Sequence, residues 1–306
     1  MHDIKTIEIP ERYTYISSFL TFRCNLSCSY CINNMEKENR NRNETDGQLL
    51  IEGLNRIKTR PNLPITFSGG EPSQHPDFVK IIKGIKKETP IDILTNLIWS
   101  TKTMNEFIDN IDPNRLNRDA KYPNIRVSYH PGQQNIIKLT KTARMLKDKG
   151  YSIGIYSVMY PSQEQIAAIY QAQFACIDAG VEFRLKEFVG EFKGEVYGTF
   201  AYPDVLNQYY SDPENNSNKM ILSAMCRTSE LLISPSGHVH RCHSDLYNGI
   251  NPIGHINDNN FQIKDIFRYC NDVKCNLCDI KQKTNYKQEL GNCAVEIKDI
   301  EKREQL

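Results

Sequence analysis

The apolar and polar positions of this chain follow two regimes. From about residue 16 to residue 190, short runs rich in β-branched and aromatic residues alternate with longer amphipathic stretches. The short runs Ile16–Phe22, Pro64–Ser68, Ile91–Thr95, Ile125–Tyr129, Tyr151–Met159 and Val181–Phe188 predict strands, each bounded by Gly, Pro or Asn. Between them Gln48–Lys58, Pro76–Lys87, Thr103–Ile111, Asn135–Lys149 and Ser162–Ala179 predict helices. In HPDFVKIIKGIKK, for example, Phe78, Val79, Ile81, Ile82 and Ile85 fall on one helical face. Strands that alternate with helices imply right-handed βαβ units around a parallel sheet, curved or closed. Reactive residues then belong at the C-terminal strand ends. Cys24, Cys28 and Cys31 follow the first strand, Gly69-Gly70-Glu71-Pro72 the second, Asn96 the third and His130 the fourth.

After residue 190 this rhythm stops. Residues 200–220 read as a polar, turn-rich connection, and residues 226–293 carry six of the ten cysteines with little regular pattern. ELLISPSGHVHRC predicts a hairpin: an apolar run, a Pro-Ser-Gly turn, then alternating residues ending in Cys242. That alternation puts His238 and His240 on one face with Cys242, as in a surface strand or a substrate-facing wall. The expected organisation is a lead-in (1–15), an α/β partial barrel (16–200) and a small C-terminal unit (201–306).

Composition adds exclusions. The 306 residues carry a formal net charge of +1, which gives no electrostatic reason to expect nucleic acid or a membrane surface as partner. The first twenty residues interleave charges with apolar positions, unlike a secretory signal, and no apolar run is long enough to span a bilayer. The expected location is the cytoplasm, where ten cysteines are better suited to metal ligation or catalysis than to disulfides.

CNLSCSYC spaces Cys24, Cys28 and Cys31 four and then three positions apart. A structural zinc site wants four ligands, so these three would need His75 or a distant cysteine. A four-iron four-sulfur cluster can instead be held by three thiolates, with one iron left open. PITFSGGEP ends the neighbouring strand with two glycines, which permit close approach to the backbone, and a glutamate able to accept from an ammonium group.

Together, Cys24-x3-Cys28-x2-Cys31 with Tyr30 before the last cysteine, and Ser68-Gly69-Gly70-Glu71-Pro72, resemble the radical S-adenosylmethionine (radical SAM) enzyme family. The resemblance covers roughly residues 16–190 and implies a partial (β/α)6 TIM-like barrel. It implies that Cys24, Cys28 and Cys31 bind a 4Fe-4S cluster whose open iron chelates S-adenosylmethionine. Cleavage of that cofactor on reduction gives a 5′-deoxyadenosyl radical that abstracts a substrate hydrogen. It further implies that Gly69, Gly70 and Glu71 meet the methionine ammonium and that the Tyr30 backbone meets the adenine. Asn96 and Ser128 sit where such strands often contact the cofactor, although Leu97 stands where a glycine usually follows Asn96. For both, a polar strand end bonded to backbone is the alternative.

The later cysteines resemble a twitch extension, a shortened relative of the SPASM extension, with Cys226, Cys242, Cys275 and Cys278 as ligands of an auxiliary 4Fe-4S cluster. Spacing alone would equally allow zinc, and Cys270 or Cys293 could replace one ligand. Cys176 lies on an apolar helical face and reads as a core thiol. NPIGHIND resembles the glycine-containing return strand of such extensions. With an auxiliary cluster the expected chemistry is oxidation, which needs a base. His130, Lys186 and Glu187 are the candidates, with Arg184 for an anionic group and one of His238, His240 and His243 against substrate. Only 23 residues precede Cys24, which points to a small-molecule substrate, with modification of a ribosomal peptide as the alternative. A reductant such as flavodoxin or ferredoxin is the expected partner. A barrel with zinc-stabilised loops acting as a binding protein is the reading of a different class.

Overall fold

A computed structural model describes residues 5–31, 44–188, 190–197, 224–269 and 295–299. Strands β2 (Tyr15–Thr21), β4 (Ile65–Gly69), β5 (Ile91–Thr95), β6 (Ile125–Tyr129), β7 (Ile153–Met159) and β8 (Glu182–Glu187) pair in that order, all parallel. Helices α1 (Gly47–Leu54), α2 (Phe78–Gly84), α3 (Thr101–Asn110), α4 (Ile136–Asp148) and α5 (Gln163–Asp178) connect them. This is the expected partial (β/α)6 barrel. The helix starts are set by side-chain caps on free backbone N–H groups: Asp46 accepts from Gln48, Ser100 from Thr103, Asn135 from Lys138 and Ser162 from Gln165.

Two short pieces depart from the sequence reading. The predicted first helix stops at Leu54, because Ile57–Lys58 (β3) pairs in parallel with Ile7–Glu8 (β1). Here a strand contact overrides the helical pattern. The larger difference is in the extension. β12 (Glu230–Ile233) lies parallel against β2, and the antiparallel strands β13 (His238–His240) and β14 (Gly254–His255) follow outward. The hairpin and the return strand form as expected, but they share the barrel's sheet. ELLI suits this place, since Leu231 and Ile233 join the main core while Leu232 joins the lumen cluster, as a strand buried on both faces requires. β11 (Ala224–Thr228) forms a separate sheet with β15 (Arg268–Tyr269) and β16 (Val295–Asp299), and β9 (Gly190–Phe192) pairs with β10 (Glu195–Tyr197).

The alternation of the parallel strands separates core from lumen. Ile65, Phe67, Ile91, Ile93, Ile125, Val127, Ile153 and Ile155 pack outward against the helices. Their alternates Thr66, Ser68, Asp92, Leu94, Arg126, Ser128 and Tyr156 therefore face inward, two layers deep. α6 (His243–Asn248) brings His243 and Tyr247 against Tyr15, Phe19 and Phe22 on the same inner side. Cys176 is fully buried on α5 within the main core, as its apolar helical face predicts. Among the described residues, no helix is long and apolar enough to cross a membrane.

Candidate active site

Cys24, Cys28 and Cys31 line one cavity of about 110 Å³ at the C-terminal ends of the barrel strands, together with Phe22, Ser68, Gly69, Gly70, Leu94, Thr95, Asn96, Ser128 and His130. Eight predicted site residues thus converge from four places in the sequence. The donor set suits a cationic inorganic group. Burial and the neighbouring Cys31 and Cys24 push the Cys28 thiol up to about 12, so three thiolates cannot coexist here without a positive counterpart. Among the described residues, no three His, Cys, Asp or Glu side chains converge as the ligands of a single ion would.

The loop is held by hydrogen bonds of its own and by others to the barrel. Leu26 N donates to Cys24 Sγ at 3.4 Å, Cys31 N donates to the Cys28 carbonyl at 3.1 Å, and Ser27 N donates to Gln133 Oε1 at 2.7 Å. Arg23 clasps Glu44 through both carboxylate oxygens at 2.9 and 2.7 Å. Tyr30, expected only as a backbone contact, uses its side chain. Its hydroxyl bonds His130 Nδ1 at 3.0 Å and accepts from Gln165 at 3.2 Å, and its ring stacks on Tyr160 at 5.0 Å. Burial alone lowers His130 to about 4, so its imidazole is neutral at physiological pH.

The Gly-Gly-Glu turn has a different physical reason from the expected one. A Cβ on Gly69 would strike the Thr21 carbonyl oxygen and one on Gly70 the Arg23 carbonyl oxygen, so both glycines are required by the chain's own backbone crossing from β2. Gly69 also has φ +150°. Gly70 N donates to the Thr21 carbonyl at 2.7 Å and Glu71 N to the Arg23 carbonyl at 2.8 Å, which leaves the carbonyl side of Gly70 to meet an ammonium group. Glu71 is fully buried and its carboxylate accepts from Ser73 N, Thr95 Oγ1, Asn96 N and Trp99 Nε1. In this structure the Glu71 carboxylate organises the two strand ends around the cavity and does not line it.

Asn96 lines the cavity, with its amide engaged on the cysteine loop. Its Nδ2 donates to Asn25 Oδ1 at 2.7 Å and points at Cys24 Sγ from 3.8 Å, while its Oδ1 accepts from Ile98 N. Leu97 adopts φ 59°, the left-handed conformation that glycine usually supplies, with its N–H on Thr95 Oγ1 and its side chain buried. Ser128 lines the cavity with no side-chain hydrogen bond among the described residues. His75 is bonded to Thr45 and Asp77 backbone groups and does not line the cavity.

The other candidates separate. Lys186 holds its Nζ 5.6 Å from the Tyr156 ring centre, and burial with the nearby Arg126 charge lowers it to about 7. Arg184, expected to take an anion, is instead bonded to Glu182 and the Lys121 carbonyl. Glu187 closes β8. Cys226 lies on β11 under Arg241, whose Nη1 donates to its sulfur at 3.3 Å, and Cys242 caps α6, accepting from Asp245 N at 3.4 Å. Cys275 and Cys278, with Cys270 and Cys293, lie outside the described residues. His238 bonds Ser236, buried His240 bonds the Ile250 carbonyl, and buried His243 bonds Glu230 against Tyr15 and Phe19. Of the three, His243 faces the lumen. The sequence reading missed Arg126, Tyr156 and Gln165, which lie in predicted strands and a predicted helix without forming a motif.

The chain belongs to the radical SAM superfamily, whose family model matches residues 18–171. Membership implies a 4Fe-4S cluster and S-adenosylmethionine. Two curated relatives are PqqA peptide cyclases, from Gluconobacter oxydans (strain 621H) and Methylorubrum extorquens (strain PA1). They are 36% identical over 87 residues and 37% identical over 81 residues, respectively. The matched stretches are 28% and 26% of this chain but only 23% and 20% of the relatives. The solved structure of hexahistidine-tagged anSMEcpe with bound AdoMet aligns at a TM-score of 0.51 and 13% identity, over 92% of this chain and 82% of that one, which shows a shared fold.

Proposed function

We propose that the cavity lined by Cys24, Cys28 and Cys31 holds the 4Fe-4S cluster with S-adenosylmethionine, and that the enzyme takes a hydrogen atom from an organic substrate in the barrel lumen. When bound and reduced, this pair supplies cleavage of the sulfonium to methionine and a 5′-deoxyadenosyl radical. The observation that carries the reading is the shared cavity of the three thiols with Gly69, Gly70, Asn96, Ser128 and His130. Asn96 and the Leu26 N–H direct hydrogen bonds at Cys24 sulfur, which stabilises its negative charge. The Gly70 carbonyl and the Ser128 hydroxyl suit the ammonium and the carboxylate or ribose of the cofactor. Phe19, Phe22, His243 and Tyr247 form an aromatic wall that keeps water from the lumen.

The names of the curated relatives support a peptide substrate. A small molecule is the second reading, favoured by the enclosure of the lumen behind that wall. We read the net reaction as an oxidation, with His130 at the cavity as the candidate base and an auxiliary cluster on Cys226 and Cys242, completed by Cys275 and Cys278. Flavodoxin or ferredoxin would supply the electron. The test is anaerobic reconstitution with iron and sulfide, reduction with S-adenosylmethionine, and detection of 5′-deoxyadenosine. Iron-replete protein that forms none overturns the reading. Deuterium transfer from a labelled candidate substrate identifies the hydrogen taken.

A further inference from the structure

One layer below the cysteine cavity, the lumen holds a buried cation whose nearest counter-charge is already engaged by other donors. Arg126 is 2% exposed and sits two positions before Ser128 on the inner face of β6, about 7 Å deeper at the usual strand rise. Its Nη2 donates to Thr66 Oγ1 at 3.2 Å, but its Nε has no hydrogen-bond partner among the described residues. The nearest carboxylate, Asp92, accepts from Arg118 at 3.2 and 2.9 Å, from Tyr122 at 3.1 Å and from Asn124 at 3.0 Å. Arg126 stands 3.7 Å from it, outside that shell.

On the adjacent strand, Tyr156 pairs in register with Ser128, is 6% exposed, and its Oη also has no hydrogen-bond partner among the described residues. Lys186 Nζ lies over the same Tyr156 ring, and Arg126 acts on it electrostatically. Arg126, the Lys186 amine and the Tyr156 phenol thus face the lumen, and of the carboxylates nearby Asp92 is hydrogen-bonded by Arg118 and only ion-paired with Arg126 at 3.7 Å, while Glu182 is bonded by Arg184. Burying the Arg126 Nε and the Tyr156 hydroxyl without acceptors costs free energy that an anionic ligand would offset.

We propose that Arg126, Tyr156 and Lys186 form a subsite for a carboxylate group of the substrate, below the cavity lined by the three cysteines. As a substrate subsite it rests on the reading that the lumen is the substrate chamber. A singly charged planar group fits better than phosphate, because a dianion on Arg126 would also approach the Asp92 carboxylate. The subsite fixes the depth of the substrate and so selects which hydrogen lies near the cofactor.

The test uses the reconstituted full chain with S-adenosylmethionine at pH 7 and N-acetylglycine as probe, with N-acetylglycinamide and inorganic phosphate as comparisons, titrated by calorimetry or saturation-transfer NMR. N-acetylglycine should bind and its neutral amide should not. Arg126→Gln should weaken binding about tenfold or more, the loss of one charge-assisted hydrogen bond. Tyr156→Phe, which removes only a hydroxyl and keeps the fold, should weaken it at least about threefold. No binding by the wild type, unchanged affinity in both variants, or tighter binding of phosphate would overturn the subsite. Formation of 5′-deoxyadenosine is read in parallel. Its absence with carboxylate binding intact sinks the functional reading alone, and the reverse result sinks the subsite alone.

Discussion

Glu71 Oε2 accepts the backbone N–H of Asn96 at 2.7 Å, and this one bond ties the end of β4 to the end of β5 beside the cysteine loop. Every partner of the Glu71 carboxylate is a donor. Glu71→Gln keeps the shape but turns one acceptor into a donor that faces another donor. The expected loss is about 1–3 kcal/mol of stability. Thermal unfolding of the iron-free chain should show it, which a role confined to cofactor contact would not produce.

Tyr30→Phe removes the hydroxyl shared by His130 and Gln165 while the stack on Tyr160 remains. About 1 kcal/mol of support for the cysteine loop should be lost, with little change in global stability. The cluster should then be lost to a chelator several-fold faster than in the wild type, followed by visible absorbance.

Cys24→Ala, Cys28→Ala and Cys31→Ala should each abolish 5′-deoxyadenosine formation and lower bound iron. Cys176→Ala is the contrast, because its thiol packs in the core beneath α5. It should keep iron content and cofactor cleavage and cost about 1 kcal/mol of stability. Iron analysis and product quantification separate the two classes.

Lys186 has a folded pKa of about 7, below its unfolded value, caused by burial and by the Arg126 charge. Arg126 on β6 acts on it electrostatically and the Tyr156 ring on β7 lies beside it. Between the two pKa values the unfolded chain holds a proton that the folded chain releases, so this group makes stability rise with pH across that window and carries its full penalty below about pH 7. Lys186→Met should therefore stabilise the protein at pH 7, on the order of 1–3 kcal/mol, with a smaller gain at pH 9. Urea unfolding of both proteins at the two pH values measures the difference. An equal effect at both would show that Lys186 is not held neutral.

Local pattern carried much of this protein. The six barrel strands and five helices are legible because strand and helix periods differ and because Asp46, Ser100, Asn135 and Ser162 stand where caps are needed. The three cysteines are legible because cluster ligation demands fixed spacing, and the Gly-Gly-Glu turn because the backbone leaving β2 has no room for a Cβ there.

Tertiary structure alone decided the rest. β12 beside β2, Glu71 turned into the strand ends, and Arg126 left with Asp92 beyond hydrogen-bond reach are outcomes of packing between residues far apart in the chain. A sequence states which groups are present and which face of a strand they occupy. Which donor meets which acceptor depends on the register and stagger of neighbouring strands, and that competition decided that Arg184 meets Glu182 while Arg126 faces the lumen.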